Sequence, residues 1–296
     1  MRTIIRSGRF AQRSYPRLQP QAAQPQAAQP QGPPSDTVAA SGAETLGDRL
    51  PAVRLDAVSK RHGTGPGAVV ALDRLTLDIG RGEFVCLVGA SGCGKSTLLN
   101  LVAGLDRPSA GSIDVSGMRT SLMFQEAALF PWLSVAGNVE LAMQLRGIGR
   151  AERRRRAVDL LEVVRLGGFG ERRPHELSGG MRQRVALARS LAQQAELLLM
   201  DEPFGALDAM TRDLLHDELE GVWRASGLTV LFVTHNVREA ARLGDRLVLL
   251  TSRPGRIAEE FSVDIDRPRR IDSADVALLA AHVTDRLRAE VARHGR

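Results

Sequence analysis

Long apolar runs and apolar–polar alternation along the chain predict a series of β-strands. Residues 84–88 (FVCLV) form an uninterrupted apolar run, which is typical of a strand buried on both faces. Similar runs occur at 197–200, 230–233 and 247–250. At 53–57 and 75–79 apolar and polar residues alternate, and this period of two indicates strands with one exposed face.

Helical periodicity fills the intervals between these strands. It predicts helices at 96–103, 135–146, 151–165, 179–192 and 209–225. Strands that alternate with helices indicate an α/β fold with a mostly parallel sheet covered on both faces. The segment at about 126–176 is different, because it is mostly helical and arginine-rich and contains no buried strand. We interpret it as a helical insert.

The start of the chain has a composition of its own. The sequence AAQPQ at 22–26 is repeated at 27–31, and such a segment buries too little apolar surface to offset the entropy of ordering it. We therefore predict a disordered basic tail rich in Pro, Gln and Ala at 1–50. An arginine-rich transit peptide is the alternative interpretation.

A globular domain is predicted at 51–270, followed by a C-terminal region at 271–296. This region is expected to form a helix at 274–292 that begins after Asp272 or Ser273. The apolar residues that would share one face of this helix are Val276, Leu279, Val283 and Leu287.

Composition and charge exclude several classes of function. Of the six net positive charges of the 296-residue chain, five come from arginines in the first 35 residues, so the rest is close to neutral. Together with an aromatic content of 4%, this distribution disfavours a nucleic-acid partner. Two cysteines are too few for a disulfide scaffold. No apolar run approaches the roughly 18 residues that span a bilayer, so no transmembrane segment is expected.

A phosphate-binding loop follows the first buried run. Residues 89–97 (GASGCGKST) match the pattern G-x-x-x-x-G-K-[ST] between a predicted strand and a predicted helix, and this context disfavours an ordinary glycine-rich turn. Backbone N–H groups and the helix N-terminus would surround the phosphates of ATP. Lys95 should reach the β- and γ-phosphates, and Ser96 should bind Mg²⁺. The predicted nucleotide ligands are Gly89, Ala90, Ser91, Gly92, Cys93, Gly94, Lys95, Ser96 and Thr97.

Two carboxylates follow the apolar run at 197–200. At the end of a strand, Asp201 would lie beside the phosphate loop and help to hold Mg²⁺. Glu202 would face the γ-phosphate and polarise a water molecule as a general base. Two solvated acids at a strand end are the alternative, which the phosphate loop disfavours.

The segment 177–184 (LSGGMRQR) is the most specific feature of the sequence. It closely resembles the LSGGQ-type signature of ATP-binding cassette (ABC) ATPases, and the resemblance extends over roughly 52–270. Other family elements appear in order: Gln125 at the Q-loop position, GALD at 205–208 as the D-loop, and His235 as the switch histidine. The resemblance implies a P-loop NTPase of the ABC ATPase type. Such a fold has an antiparallel β subdomain and a helical subdomain beside its mostly parallel sheet.

The resemblance also implies roles for single residues. Glu202 would be the general base, His235 would contact the γ-phosphate, and Lys95 would stabilise charge. Gln125 would sense Mg²⁺ and the attacking water. The residues expected to hold the metal are Ser96, Gln125 and Asp201.

The signature further predicts that a second copy of the chain takes part in the ATP site. Ser178 can cap a helix, and Gly179 and Gly180 permit close backbone approach to an anion at that helix N-terminus. The resemblance implies that this anion is the ATP of another copy, packed head to tail, and that Asp208 communicates across the interface.

Further segments resemble the nitrate/sulfonate/taurine importer branch of the family. They are FQEAALFPW at 124–132, DEPFGALDA at 201–209, SRPGRI at 252–257 and RPRR at 267–270. The short C-terminal tail is most similar to ATPases of aliphatic sulfonate importers. The resemblance implies a peripheral ATPase on the cytoplasmic face of the inner membrane. Its partners would be separate transmembrane permease subunits and an extracytoplasmic solute-binding protein.

Two other functions are weighed against this one. A soluble ABC-type ATPase acting on ribosomes or DNA usually carries two cassettes or long coiled coils, and the sequence predicts neither. An exporter ATPase is disfavoured by Phe-Pro-Trp at 130–132.

Several single residues keep two interpretations. His62 stands where the family commonly has Tyr, and it either stacks on adenine or lies in an exposed loop. Cys93 is either a small filler, which we favour, or a thiol whose pKa is lowered by Lys95 and the helix dipole. Phe130 and Trp132, with Pro131 between them, either form a groove for a partner or belong to the local core.

Overall fold

The structure is a computed structural model that describes residues 51–294. The predicted tail at 1–50 and the last two residues lie outside this part. The strands are β1 (Val53–His62), β2 (Val69–Ile79), β3 (Phe84–Val88), β4 (Ala110–Asp114), β5 (Thr120–Met123), β6 (Leu197–Asp201), β7 (Thr229–Val233), β8 (Arg246–Leu250) and β9 (Ile257–Ser262). The helices are α1 (Lys95–Val102), α2 (Val135–Gln144), α3 (Arg150–Val163), α4 (Gly179–Ala192), α5 (Ala209–Ser226), α6 (Val237–Leu243) and α7 (Ala274–His294), with short 3₁₀ turns at Gly65–Gly67 and Pro174–Glu176.

The larger sheet confirms the predicted α/β fold. Its strand order is β5-β6-β7-β3-β8-β9, and every neighbouring pair is parallel except β8 and β9. The carboxyl ends of β3, β6 and β7 therefore lie at one edge of the sheet. The phosphate loop, the carboxylates at 201–202 and His235 follow these three strands, so the topology brings them to the same edge.

A second, three-stranded sheet confirms the antiparallel β subdomain. Its order is β2-β1-β4, and β1 is antiparallel to both neighbours. Leu55 pairs with Leu77 of β2 and with Ile113 of β4. The alternation predicted at 53–57 is present, because Val53 and Leu55 are buried while Arg54 is exposed.

Both faces of the larger sheet are covered, as the apolar runs predict. On one face Val85 and Leu87 belong to the same core as Leu98 and Leu99 of α1 and the buried side of the antiparallel sheet. Alternate residues point to the other face. There the ring of Phe84 makes an edge contact with Trp223 of α5, at 5.7 Å between centroids.

Helices α2, α3 and α4, which lie between β5 and β6 in the sequence, pack on one another. The turn before α2 is fixed by Asn138, which is fully buried. The Asn138 side chain accepts a hydrogen bond from the Phe130 N–H at 2.8 Å and donates to the Ser134 carbonyl at 2.9 Å. Ser134 itself caps α2 by accepting from the Gly137 N–H. These bonds set the conformation of the chain from Phe130 to the helix.

The C-terminal helix confirms the prediction for 274–292 and extends to residue 294. Val276 and Val283 are fully buried, and α7 packs on α6. The sequence pattern does not predict β4, β5, β9 and α6, because each is short and none contains the continuous apolar run that predicts the equally short β3, β6, β7 and β8. Within residues 51–294, no helix has both the length and the apolar character to cross a bilayer.

Candidate nucleotide-binding and hydrolysis site

The phosphate loop leads from β3 directly into α1. Gly94 is the N-cap of α1 and has φ of 101°, a left-handed conformation that favours glycine. A Cβ at Gly94 would lie 2.8 Å from the Ala71 carbonyl oxygen, so a larger residue would displace backbone. The first N–H groups of α1 form an anion-binding helix N-terminus. The backbone geometry of the loop is therefore suited to phosphate oxygens, and its binding role stays a prediction.

The loop at 251–256 supports the phosphate loop from outside. Arg253 Nε donates to the Gly92 carbonyl at 3.0 Å. The Gly255 N–H donates to the Ala71 carbonyl at 2.9 Å, and a Cβ at Gly255 would lie 2.2 Å from the Cys93 carbonyl oxygen. The sequence indicates this segment only as part of a resemblance. The structure gives it a supporting role that its residue types alone do not reveal.

Lys95 is held across the phosphate loop. It is 6% exposed, and its Nζ donates to the Gly89 and Ala90 carbonyls at 2.8 and 3.0 Å. A buried ammonium beside a ring of backbone N–H groups is a suitable partner for phosphate. The predicted ligand Ser91 is exposed and Thr97 half-buried, at the two ends of the loop.

Cys93 is a filler and not a low-pKa thiol. The side chain is 1% exposed, and its Sγ lies 3.8 Å from Lys95 Nζ. Burial raises the pKa of the Cys93 thiol, and the nearby Lys95 charge does not overcome this effect. The alternative of a thiolate activated by Lys95 and the helix dipole is therefore wrong.

Ser96 and Asp201 meet at the edge of the sheet. The Ser96 hydroxyl lies close enough to the Asp201 carboxyl to lower its pKa. Burial raises the pKa of Asp201, while the Ser96 hydroxyl and the Lys95 charge oppose the shift. A hydroxyl next to a carboxylate is a donor set that fits Mg²⁺ beside phosphate oxygens. No group of three or more His, Cys, Asp or Glu side chains in residues 51–294 is placed to hold a metal ion.

Glu202 and His235 are in direct contact. His235 Nδ1 lies 2.9 Å from Glu202 Oε2, although the residues are 33 positions apart. Glu202 has φ of 44°, and its N–H donates to the Val233 carbonyl at 2.9 Å. The exposed side of this pair faces away from the core, since His235 is exposed and Glu202 half-buried. The two residues are thus held together at the mouth of the site.

Gln125 completes this group. It lies in the loop after β5. A Cβ built on Gly205 would lie 3.7 Å from Gln125 Nε2 and 3.8 Å from Glu202 Oε2, so the amide and the carboxylate converge on one point. The structure therefore brings Gln125, Glu202 and His235 together.

Two residues of α4 hold the loop that carries Gln125. Gln183 Nε2 donates to the Gln125 carbonyl at 2.6 Å. Arg189 donates to the Ala127 and Ala128 carbonyls at 2.9 and 2.7 Å. Sequence reasoning missed both residues. The available signal was an arginine within the otherwise apolar helical stretch VALARSLA, where a charge needs a partner.

The signature segment lies against the start of α5. Ser178 caps α4 as predicted, by accepting from the Met181 N–H at 3.2 Å, and Asp208 caps α5 by accepting from the Thr211 N–H at 3.0 Å. A Cβ at Gly180 would lie 2.3 Å from Thr211 Cγ2. Packing within the chain therefore requires a glycine at 180, a reason that the sequence does not suggest. Gly179 is less confined, with Leu207 Cδ2 at 3.4 Å from its virtual Cβ.

The predicted ligands form two groups. Within the described residues, the phosphate loop contacts segments 71–72 and 250–255. The glycines of the signature contact segment 207–211. These two sets do not overlap. The structure brings together the first group with Asp201, Glu202, His235 and Gln125, and places Ser178, Gly179, Gly180 and Asp208 in the second.

The remaining predicted residues are at the surface. His62 is exposed at the end of β1 and lies near Asp106, so its contact with adenine stays a prediction. Trp132 is 67% exposed, and its ring contacts that of Phe130 at a tilted angle of 50°, with 5.4 Å between ring centroids. The interpretation of Trp132 as local core is therefore wrong.

Comparisons with a family model and with related proteins point to the same family. The sequence model of the ABC transporter family matches residues 72–205. The taurine import ATP-binding protein TauB of Burkholderia pseudomallei is 46% identical over 217 residues, which are 71% of this chain and 84% of that protein. The nitrate import ATP-binding protein NrtD of Synechocystis is 48% identical over 206 residues, 67% of this chain and 77% of that protein.

Solved structures agree with the sequence comparison. A dimeric structure of the ATP-binding cassette MJ0796 in a post-hydrolysis state, bound to ADP and Pi, is 32% identical, with a TM-score of 0.65 over 72% of this chain and all of that one. Another dimeric structure of MJ0796, described as a bacterial ABC transporter cassette, is 33% identical with a TM-score of 0.66. The chain therefore belongs to the ABC transporter family, as one of its ATP-hydrolysing cassettes.

Proposed function

We propose that this protein is the energy-coupling subunit of an ABC importer for aliphatic sulfonates or related small anions such as taurine or nitrate. The observation that carries the proposal is the convergence of the phosphate loop, Ser96–Asp201 and Glu202–His235 at one sheet edge, in a chain whose relatives are import ATPases. Hydrolysis at this edge would drive transport by other subunits.

The chain's own residues divide the work of ATP hydrolysis. The N-terminus of α1 and Lys95 bind the β- and γ-phosphates and stabilise charge on them. Ser96 and Asp201, with Gln125, would hold Mg²⁺, which when bound would neutralise phosphate charge. Glu202 accepts a proton from the water whose oxygen attacks the γ-phosphorus, while the bond to the bridging oxygen breaks and ADP leaves with the electron pair.

His235 has two tasks in this scheme. Its Nδ1 bonds to Glu202 Oε2 and fixes the direction of the carboxylate. Its other ring nitrogen, Nε2, would face the γ-phosphate, and it must also carry a proton to donate to a phosphate oxygen, which can only accept. The ring therefore orients the general base relative to the phosphate that the water attacks.

Replacement of Glu202 tests the assigned base. Glu202→Gln keeps the size of the side chain but removes its ability to accept the proton, so kcat should fall by about 10²- to 10⁴-fold. Glu259→Gln is a suitable control, since Glu259 lies on β9 and pairs with Arg286 of the C-terminal helix. Phosphate release measured over time would give both rates. Equal turnover of Glu202→Gln and wild type would remove Glu202 from this role.

A second copy of the chain would complete each ATP site. The first turn of α4, with Ser178 and Gly179, is the N-terminus of a 14-residue helix, and the atoms nearest to Gly179 and Gly180 belong to Leu207 and Thr211. Two structures of a related cassette are described as dimeric, which supports a pair of copies. The head-to-tail arrangement is what the resemblance to ABC ATPases implies. In it, Ser178 and Gly179 of one copy face the ATP of the other, and Asp208 lies at the interface.

Permease subunits are the proposed membrane partners, on the cytoplasmic face of the inner membrane. The pair Phe130–Trp132 offers an apolar surface next to the loop of Gln125, and this position would link a docked subunit to the site. Trp132→Ala should reduce co-purification with membranes. Leu278→Ala, on α7, removes an equally exposed apolar side chain and should not. Co-purification with ribosomes instead of membranes would favour a soluble ATPase that is not coupled to transport.

The solute is recognised by an extracytoplasmic binding protein and the permease, so a genetic test is needed. A strain without this gene should lose growth on alkanesulfonates as sole sulfur source and keep growth on sulfate. Parallel cultures on taurine as sulfur source and nitrate as nitrogen source separate the related anions. Normal growth on all three would contradict the proposed import function.

A further inference from the structure

We propose that Glu239 and His216 are positioning residues that hold the switch histidine His235 and join it to the segment 203–208, which ends in the D-loop. The inference rests on the proposed role of His235 in hydrolysis. Neither residue belongs to the sequence motifs, and neither lies at the phosphate loop. The arrangement of their contacts carries the proposal.

Glu239 is linked directly to the neighbours of His235. Its side chain, 4% exposed on α6, accepts a hydrogen bond from the Thr234 hydroxyl through Oε2. The same Thr234 oxygen accepts from the Asn236 N–H at 3.0 Å. Both residues that flank His235 are thus connected to one buried carboxylate. A change at Glu239 would move the His235 backbone.

His216 extends this connection to α5. It is fully buried, and its Nε2 lies 2.6 Å from Glu239 Oε1. Its ring meets Phe204 edge-on, with 5.4 Å between centroids. The carbonyls of Phe204 and Leu207 accept hydrogen bonds from Arg212 at 3.3 and 2.7 Å. The pair His216–Glu239 therefore lies between the segment that carries His235 and the segment that carries Asp208.

Stability alone does not explain a buried ionisable pair. Burying such groups has a desolvation cost that well-packed apolar residues would avoid. Burial raises the pKa of Glu239, although the Thr234 bond and the charges of Arg212 and His235 oppose the shift. The nearest carboxylate to His216 Nδ1 is Asp213, at 3.8 Å. Directional bonds to Thr234 and His216 are what an apolar replacement could not supply.

Steady-state ATPase kinetics of the full-length protein test the proposal. Glu239→Ala should lower kcat by about 10- to 100-fold, because small displacements of catalytic groups have effects of this size, with KM for MgATP changed less than twofold. Glu239→Gln should keep most of the activity, since an amide can accept from Thr234 and donate to His216. Glu220→Ala is the matched control, because Glu220 is also a buried carboxylate but lies on α5 and pairs with Arg267. Its replacement should leave kcat unchanged.

The decisive comparison uses His235→Ala as background. If Glu239 acts through His235, Glu239→Ala should cause no further loss in that background. An equal fold-loss in both backgrounds, or a lowered Tm with unchanged kcat, would overturn the inference. Thr234→Val removes one hydroxyl and serves the same test if Glu239→Ala does not fold. Full turnover of His235→Ala itself would instead contradict the proposed function.

Discussion

Glu202 is held in a backbone conformation that residues other than glycine rarely adopt. Its φ of 44° is in the left-handed region, at the first position after β6. Such residues persist only where the surroundings enforce them, and they often occur at functional sites. Here the Val233 carbonyl and His235 provide the two bonds that hold it.

The Glu202→Gly variant of the protein should be more stable than the Glu202→Ala variant. Glu202→Gly removes the left-handed penalty that Glu202→Ala retains, so its free energy of unfolding in urea should be higher by about 1 kcal/mol. At Glu259, which lies in a β-strand, the same two substitutions should rank in the opposite order. Glu202→Gly less stable than Glu202→Ala would contradict the observed backbone conformation.

Cys93 should react slowly with alkylating reagents, and ATP should slow it further. The raised pKa lowers its thiolate fraction near neutral pH, so labelling should accelerate as pH rises towards that pKa. Iodoacetamide labelling followed by mass spectrometry in a Cys86→Ala variant would isolate this thiol, with urea-unfolded protein as reference. Identical rates with and without ATP would argue against nucleotide over this loop.

At the scale of elements, the N-termini of α4 and α5 form one packed unit. Thr211 connects them, because its methyl group faces Gly180 while its N–H donates to Asp208. The N-termini of α4 and α5 therefore lie side by side.

Gly180→Ala should lower the free energy of unfolding by about 1–3 kcal/mol, as expected for overpacking. Thr211→Ser removes the crowded methyl group and keeps the hydroxyl, so the double variant should recover most of the loss. Gly179→Ala meets Leu207 at an ordinary contact distance and should have a smaller effect. Urea unfolding without nucleotide is the measurement. If Thr211→Ser gave no recovery, packing would not be the reason for glycine at 180.

The predictability of an element follows its length and its local signals. The periodicity predicts helices α4 and α5 within one residue of their bounds, since each has a clear period and a capping residue at its start. Linear motifs likewise indicate Lys95, Ser96, Asp201 and Glu202, because each lies in a short run of characteristic residue types. Contacts that depend on the tertiary fold are not marked by a motif in the sequence. Examples are the hydrogen bond from Arg189 to the loop that carries Gln125 and the bond from the Thr234 hydroxyl to Glu239.

At the scale of the whole molecule, the proposed dimer would use two separate segments of each chain, one for each of the two ATP sites. The phosphate loop with Glu202–His235 forms one segment, and the capped end of α4 forms the other. Helix α5 links them, since Thr211 contacts the signature while His216 contacts Glu239 beside the switch histidine. Helix α5 therefore connects the two segments through its own backbone and these side-chain contacts. In a dimer, this route would couple the two sites.

The central claim is that ATP joins two copies of the chain, and sedimentation of Glu202→Gln tests it most directly. With hydrolysis blocked, ATP and Mg²⁺ should convert the protein from monomer to dimer, because bound nucleotide stabilises the paired state. Adding Ser178→Arg, which obstructs the end of α4, should keep it monomeric under the same conditions. A Glu202→Gln protein that binds ATP and stays monomeric at every concentration would contradict the account.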